Sequence, residues 1–189
     1  ERVFHNLMKI VYVAAGAAGM YCGSCLHDNS LAASLIKQGH EVLLVPTYTP
    51  LRTDEPDVSI RRVFFGGINV FLQQKLALFR HTPWLVDSLF DLPWLIRWAT
   101  KIGPGVAADK LGDLTLSMLS GEEGRQRKEL AKFVEWLCLE RPQVVHLSNV
   151  LLIGMARSIS SLGIPVVCTL SGEDQFLEKL SEQHQKQAQ

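Results

Sequence analysis

An excess of charge of either sign is missing: 19 basic and 19 acidic residues among 189 leave a formal net charge of +0. General nucleic-acid binders carry a basic footprint, and no block of like charges compensates here, so nucleic acid is not an expected partner. No apolar run reaches the roughly 18 to 20 residues that span a bilayer, and the start of the chain has no signal-peptide hydrophobic region. A soluble, cytoplasmic protein is therefore expected. Four cysteines, Cys22, Cys25, Cys138 and Cys168, are too few to suggest a disulfide scaffold and would be reduced in that compartment.

Two nucleotide fingerprints are missing as well. A dinucleotide site pairs a G-x-G-x-x-G turn with an acidic residue about 20 positions on, at the end of the second strand. Here the glycines run Gly16, Gly19 and Gly23, and the second apolar run, 41–45, ends in Pro46-Thr47-Tyr48 without a carboxylate. No G-K-[ST] follows the glycines either, which removes a P-loop. NAD and ATP are both demoted, and no bound cofactor or metal is expected.

What is present is the order of a Rossmann-like domain, with 47% hydrophobic residues to fill one core. Lys9-Ile10-Val11-Tyr12-Val13-Ala14-Ala15 reads as a buried strand. A loop carrying Gly16, Gly19 and Gly23 follows, then a helix over 24–38 with Ser24 suited to capping and Leu26, Leu31, Leu35 and Ile36 at helical spacing. Gly39 stops it before the strand at 41–45. Backbone amides of a glycine-rich turn and a helix N-terminus suit a phosphate, so Gly16, Gly19 and Gly23 are the candidate phosphate-binding positions.

Residues 58–65 read as a third strand. The stretch 66–105 reads as an insertion of short helices, rich in aromatics (Phe71, Phe79, Trp84, Phe90, Trp94, Trp98) and broken by Pro83, Pro93 and Pro104. Helical pattern resumes over 107–120 and 122–141, the latter with Leu130, Phe133, Val134 and Leu137 on one face and Pro142 at its end. A strand at 144–147, a crossover helix at 151–162 and a strand at 165–170 complete the βα alternation. The expected class is α/β, a parallel sheet with helices on both faces. Residues 1–7 precede a start-like Met8-Lys9-Ile10 and read as an extension or expression remnant; the helical pattern begun at 173–180 decays into a polar tail over 181–189 with nothing to bury.

Three pieces carry a resemblance: Leu31-Ala32-Ala33-Ser34-Leu35-Ile36-Lys37-Gln38-Gly39-His40-Glu41-Val42, then Arg141-Pro142-Gln143-Val144-Val145-His146-Leu147, then Gly163-Ile164-Pro165-Val166-Val167-Cys168-Thr169. In this order they resemble the N-terminal half of GT-B glycosyltransferases of the family 4 and glycogen-synthase-like type, over residues 8–180. The resemblance implies a retaining transferase that moves a sugar from a nucleotide-sugar co-substrate to an acceptor in a cleft between two Rossmann-like lobes. It also implies that the donor-side C-terminal lobe, with its basic residues and paired glutamates, is absent here, so that the fragment alone does not turn over. Gly23 falls on the second glycine of the family's Gly-Gly loop, with Cys22 in place of the first. Ser148 and Ser171 stand where the family often has histidines, keeping hydrogen bonding but losing the reach and charge of imidazole.

The candidate catalytic positions are therefore His146, Ser148 and Ser171, though His146 within an apolar strand also suits a satisfied core histidine. Asp28, Asn29, Asn149, Glu173 and Asp174 are candidates for holding acceptor or sugar hydroxyls; dipole complementation for Asp28 and capping for Asn149 and Ser171 are the plainer readings. Cys22-Gly23-Ser24-Cys25 near His27 has the spacing of a redox pair or half a zinc site. Zinc needs about four ligands, and with Cys138 and Cys168 placed in a helix and a strand, incidental cysteines are expected. The aromatic insertion has too small a basic excess for strong attraction to anionic lipid, so core packing or contact with the second lobe is expected over a membrane surface, with self-association open. The alternative functional class is a non-catalytic nucleotide- or sugar-binding module of the same fold, and an NAD oxidoreductase stands third.

Overall fold

The computed structural model describes residues 7–16, 22–65, 108–172 and 177–188, with side chains from 112 onward in the helix that starts at Ala108. In chain order the elements are β1 (Lys9–Ala14), α1 (Gly23–Lys37), β2 (Glu41–Pro46), α2 (Ala108–Leu119), α3 (Arg127–Glu140), β3 (Val144–Leu147), α4 (Ala156–Ser160), β4 (Val166–Cys168) and α5 (Glu182–Ala188). Short 3-10 turns at Gly121–Glu123 and Val150–Met155 precede α3 and α4. The aromatic positions expected to form an insertion lie outside the described residues.

The four strands pair in parallel in the order β2-β1-β3-β4. Their apolar character follows from burial on both faces, which a parallel sheet requires. Side chains alternate across the sheet with period two. Val11, Val13, Val45, Val145 and Leu147 meet Leu130, Phe133 and Leu137 of α3 with Leu152 and Ile159. Tyr12, Ala14 and Leu44 meet Cys25 and Ala32 of α1, with Leu51. Helices thus cover both faces, and the chain is α/β with a Rossmann-like parallel sheet. From β1 the chain goes outward to β2 and comes back to β3 on the other side of β1, so the topological switch point lies between β1 and β3.

Several sequence readings change. The run 58–65 forms no strand: one parallel bridge, Leu44 with Ser59, is all that pairs with β2. Neighbouring strand residues point to opposite faces, yet Phe64 and Phe65 are both buried in the same cluster, so the chain must turn there. Phe64 packs edge-on to Phe133 at 5.1 Å and tilted on Trp136 at 4.9 Å, with the Arg62 guanidinium 4.4 Å over its ring. The reading 122–141 divides into a 3-10 turn and α3, whose end is set by Arg141 in the left-handed conformation (φ 50), its amide donating to Leu137 O at 2.8 Å before Pro142. The crossover over 151–162 is 3-10 before it is α-helical. The polar tail is helical over α5, which buries none of its residues and touches α2 through the His184 imidazole, 3.1 Å from Asp113 Oδ1.

Candidate functional site

Tyr12 and His146 are partners in the β1–β3 register and so project from the same face, their rings 4.3 Å apart and inclined at 60°. The helix lying on that face turns Cys25, Asp28, Asn29 and Ala32 inward. These occupy positions i, i+3, i+4 and i+7, one stripe of an α-helix. The expected stripe of Leu26, Leu31, Leu35 and Ile36 is not the buried one, and Ile36 is exposed. A polar stripe therefore faces the sheet beside the switch point, where ligands of open α/β sheets bind.

Asp28 is the centre of this stripe. Tyr12 Oη donates to its Oδ1 at 2.8 Å, and His27 Nδ1 lies 3.7 Å from the same oxygen. Burial raises the carboxyl above its ordinary value, against the Tyr12 bond, the His27 charge and the nearby Ser148 hydroxyl, which favour the carboxylate. Burial, and then the Asp28 charge, raise the Tyr12 phenol. Ser148 follows β3 directly and is held by its amide donating to Val13 O at 2.9 Å. Its Oγ is buried and, although near Asp28, makes no hydrogen bond of good geometry with the described residues. Such an orphan is uncommon and needs an explanation, of which a ligand or water is one.

His146 Nε2 lies 2.7 Å from Thr169 Oγ1 across the β3–β4 pair. Burial first, and the His27 charge second, lower its pKa, so the imidazole is held neutral. Tyr12 and Thr169 were not among the sequence candidates. A tyrosine in an otherwise apolar buried strand is a usable signal, because its hydroxyl must find a partner.

The glycines divide. Gly16 has φ +80, and a Cβ there would lie 2.5 Å from Thr49 O, so the loop after β2 requires glycine at this position. At Gly23 a Cβ would meet nothing within 4 Å among the described residues, and Gly23 and Ser24 are both exposed. Gly19 lies outside the described residues, as do Glu173 and Asp174. The N-cap of α1 is Cys22, not Ser24, and it makes no side-chain cap bond.

Asn29 is buried, its Nδ2 donating to Pro56 O at 3.1 Å and its Oδ1 accepting from Val58 N at 3.0 Å, which pins the 56–58 segment to α1. Asn149 caps the 3-10 turn, accepting from Leu151 N at 3.1 Å. Ser171 is exposed beyond β4. The structure thus brings Asp28, His146 and Ser148 together with Tyr12 and Thr169, and gives Asn29 and Asn149 backbone-holding roles.

Two concavities lie elsewhere. One, of about 10 Å³, is lined by Tyr48, Phe65, Ser117 and Gln126 among others, and has room for about one water. Tyr48 Oη donates to Gln126 Oε1 at 2.7 Å, and Gln126 Nε2 is buried without a partner among the described residues. The other is an open groove of about 500 Å³ along α3, lined by Glu122, Arg127, Lys128 and Ser158 with their neighbours. Neither includes the Asp28 cluster. Among the described residues no group of three or more His, Cys, Asp or Glu side chains is placed to hold a metal ion, and no helix is long and apolar enough to cross a membrane. Compared with protein-family models, curated proteins and solved structures, the chain matches none of them.

Proposed function

We propose that this chain is the acceptor-side Rossmann-like domain of a retaining GT-B glycosyltransferase, working with a second lobe on a nucleotide-diphosphate sugar. The observation that carries the reading is the juxtaposition at the switch point: an exposed first turn of α1 at Gly23 and Ser24, on the helix that turns Asp28 toward the buried Ser148 hydroxyl, which makes no hydrogen bond of good geometry among the described residues. In this reading the amides at Gly23 and Ser24 meet the diphosphate, aided by the partial positive charge of a 15-residue helix. Asp28 and Ser148 take sugar hydroxyls, and His146, neutral and steadied by Thr169, donates or accepts one hydrogen bond near the reacting sugar.

An NAD-binding oxidoreductase is disfavoured by the end of β2. Pro46 is followed by the buried Thr47, whose hydroxyl donates to Ala14 O, where a ribose-binding site needs a carboxylate. Titration calorimetry with UDP-, GDP- and ADP-sugars and with NADH tests the assignment. At least one nucleotide sugar is expected to bind, more weakly to the Ser148→Ala chain, and NADH is expected not to bind. Binding of NADH alone, or of none of the four, overturns the reading.

A further inference from the structure

We infer that Cys22 and Cys25 form a thiol–disulfide couple, with Cys22 the attacking sulfur and Cys25 the resolving one, and with a small-molecule disulfide as the oxidant. The two residues sit at the N-cap and third position of α1. Side chains three apart at the start of a helix lie on one side of it, about 5 to 6 Å apart at Cβ, a short adjustment from the separation a disulfide needs. Both thiols are free, Cys22 on the extended N-cap backbone (φ −142, ψ 135) and Cys25 in the first turn. Their exposures are unequal as the two roles require, Cys22 half-buried and Cys25 buried.

The electrostatics agree with this placement. Partial burial opposes ionisation of Cys22, but the Cys25 and Ser24 amides, the Cys25 thiol and the Ser24 hydroxyl outweigh it and hold the Cys22 thiol below its ordinary value. Burial, then the Cys22 charge, push Cys25 up to about 12. Nucleophilic cysteines at helix N-termini follow this pattern. In the first step the Cys22 thiolate attacks one sulfur of the disulfide R–S–S–R, breaking the S–S bond, forming Cys22–S–S–R and expelling RS⁻, which takes a proton from water. The Cys22 charge that opposed ionisation of Cys25 is then gone. Cys25 loses its proton to solvent and attacks the Cys22 sulfur, forming the Cys22–Cys25 bond and expelling a second thiolate. Two protein thiols are oxidised and one disulfide is reduced to two thiols. No step involves a nucleotide, so peptide mapping without nucleotide reads the couple by itself, although the Ser24 amide that favours the Cys22 thiolate is also one the transferase reading gives to the diphosphate.

The test is peptide mapping of the full chain after equilibration with graded ratios of oxidised to reduced glutathione, quenched in acid and blocked with a maleimide. Cys22 and Cys25 are expected to disappear together, leaving one peptide two hydrogens lighter, while exposed Cys138 collects only a glutathione adduct. With limiting iodoacetamide at neutral pH, Cys22 is expected to alkylate roughly tenfold faster than Cys138. Cys25→Ser is expected to trap glutathione on Cys22, and Cys22→Ser to leave Cys25 unmodified. Separate adducts on both residues, or a reduced pair when Cys138 is fully modified, overturns the inference, and neither result depends on a variant folding.

Discussion

On the α3 face of the sheet the strands turn in aliphatic side chains, Val11, Val13, Val45, Val145 and Leu147, which close on Phe133, Leu137 and Phe64, while α3 buries one charge, Glu129, paired with Lys132 at 3.1 Å. On the α1 face the same strands present Tyr12 and His146 to a helix whose inner stripe is Cys25, Asp28, Asn29 and Ala32. Residues one apart in sequence therefore serve opposite ends, because the strand period sends them to opposite faces. The comparison teaches that the same strands can turn aliphatic side chains to one layer and Tyr12 and His146 to the other, at the edge where the topology switches.

The largest break in the comparison is Phe133→Ala, which removes a fully buried ring from the apolar face. Urea unfolding is expected to show a loss of about 3 to 5 kcal/mol; a loss under about 1 kcal/mol would show that this face is not the main support. Next come the two glycines. Gly16→Ala meets both the left-handed backbone and the Thr49 carbonyl, and is expected to cost about 1 to 3 kcal/mol. Gly23→Ala meets nothing within 4 Å among the described residues and is expected to stay within about 0.5 kcal/mol of the parent in the same assay. Equal costs at the two positions would erase the distinction between a packed and an open turn.

On the polar face the sign reverses. Asp28 has a raised folded pKa, so the folded state holds its proton more tightly than the unfolded chain, and stability falls as pH rises from the ordinary 3.8 through the folded value. Asp28→Asn keeps an oxygen for Tyr12 and removes the buried charge. It is expected to raise stability near pH 7 by about 0.5 to 2 kcal/mol, the range of a common stabilising change, while weakening any ligand at the site. Destabilisation of that size would mean that the carboxylate is structural. His146 gives the smallest effect. Its folded pKa lies below 6.5, so the stability it contributes is present above pH 6.5 and is lost as pH falls through the folded value, with a slope of at most about 1.4 kcal/mol per pH unit. Melting curves between pH 7 and 5, recorded in the Asp28→Asn background, are expected to lose this slope in His146→Gln; an unchanged slope assigns it to another group.

Much of the fold was legible because strands covered on both faces are nearly continuous apolar runs, and β1, β2 and β3 stand close to where such runs occur. The 58–65 run misled because apolar content does not say which way Phe64 and Phe65 point; burying both on one side cost the strand. Two stripes competed on α1, one of leucines and one containing Asp28 and Asn29, and only docking against Tyr12 and Leu44 selects between them. His146 was legible from its place near a strand's carboxyl end. Its partner Thr169, and the bond from Tyr12 to Asp28, depend on a register that residues far apart in sequence set together.

The central claim, that the α1 side of the switch point is a binding site, is tested most directly by amide NMR spectra of the full chain during addition of a nucleotide-diphosphate sugar. The expected result is that Gly23, Ser24, Cys25, Tyr12 and Ser148 shift together, with the signals of α3 unmoved. Shifts confined to the α3 groove around Arg127 and Lys128, with the α1 residues still, would contradict it.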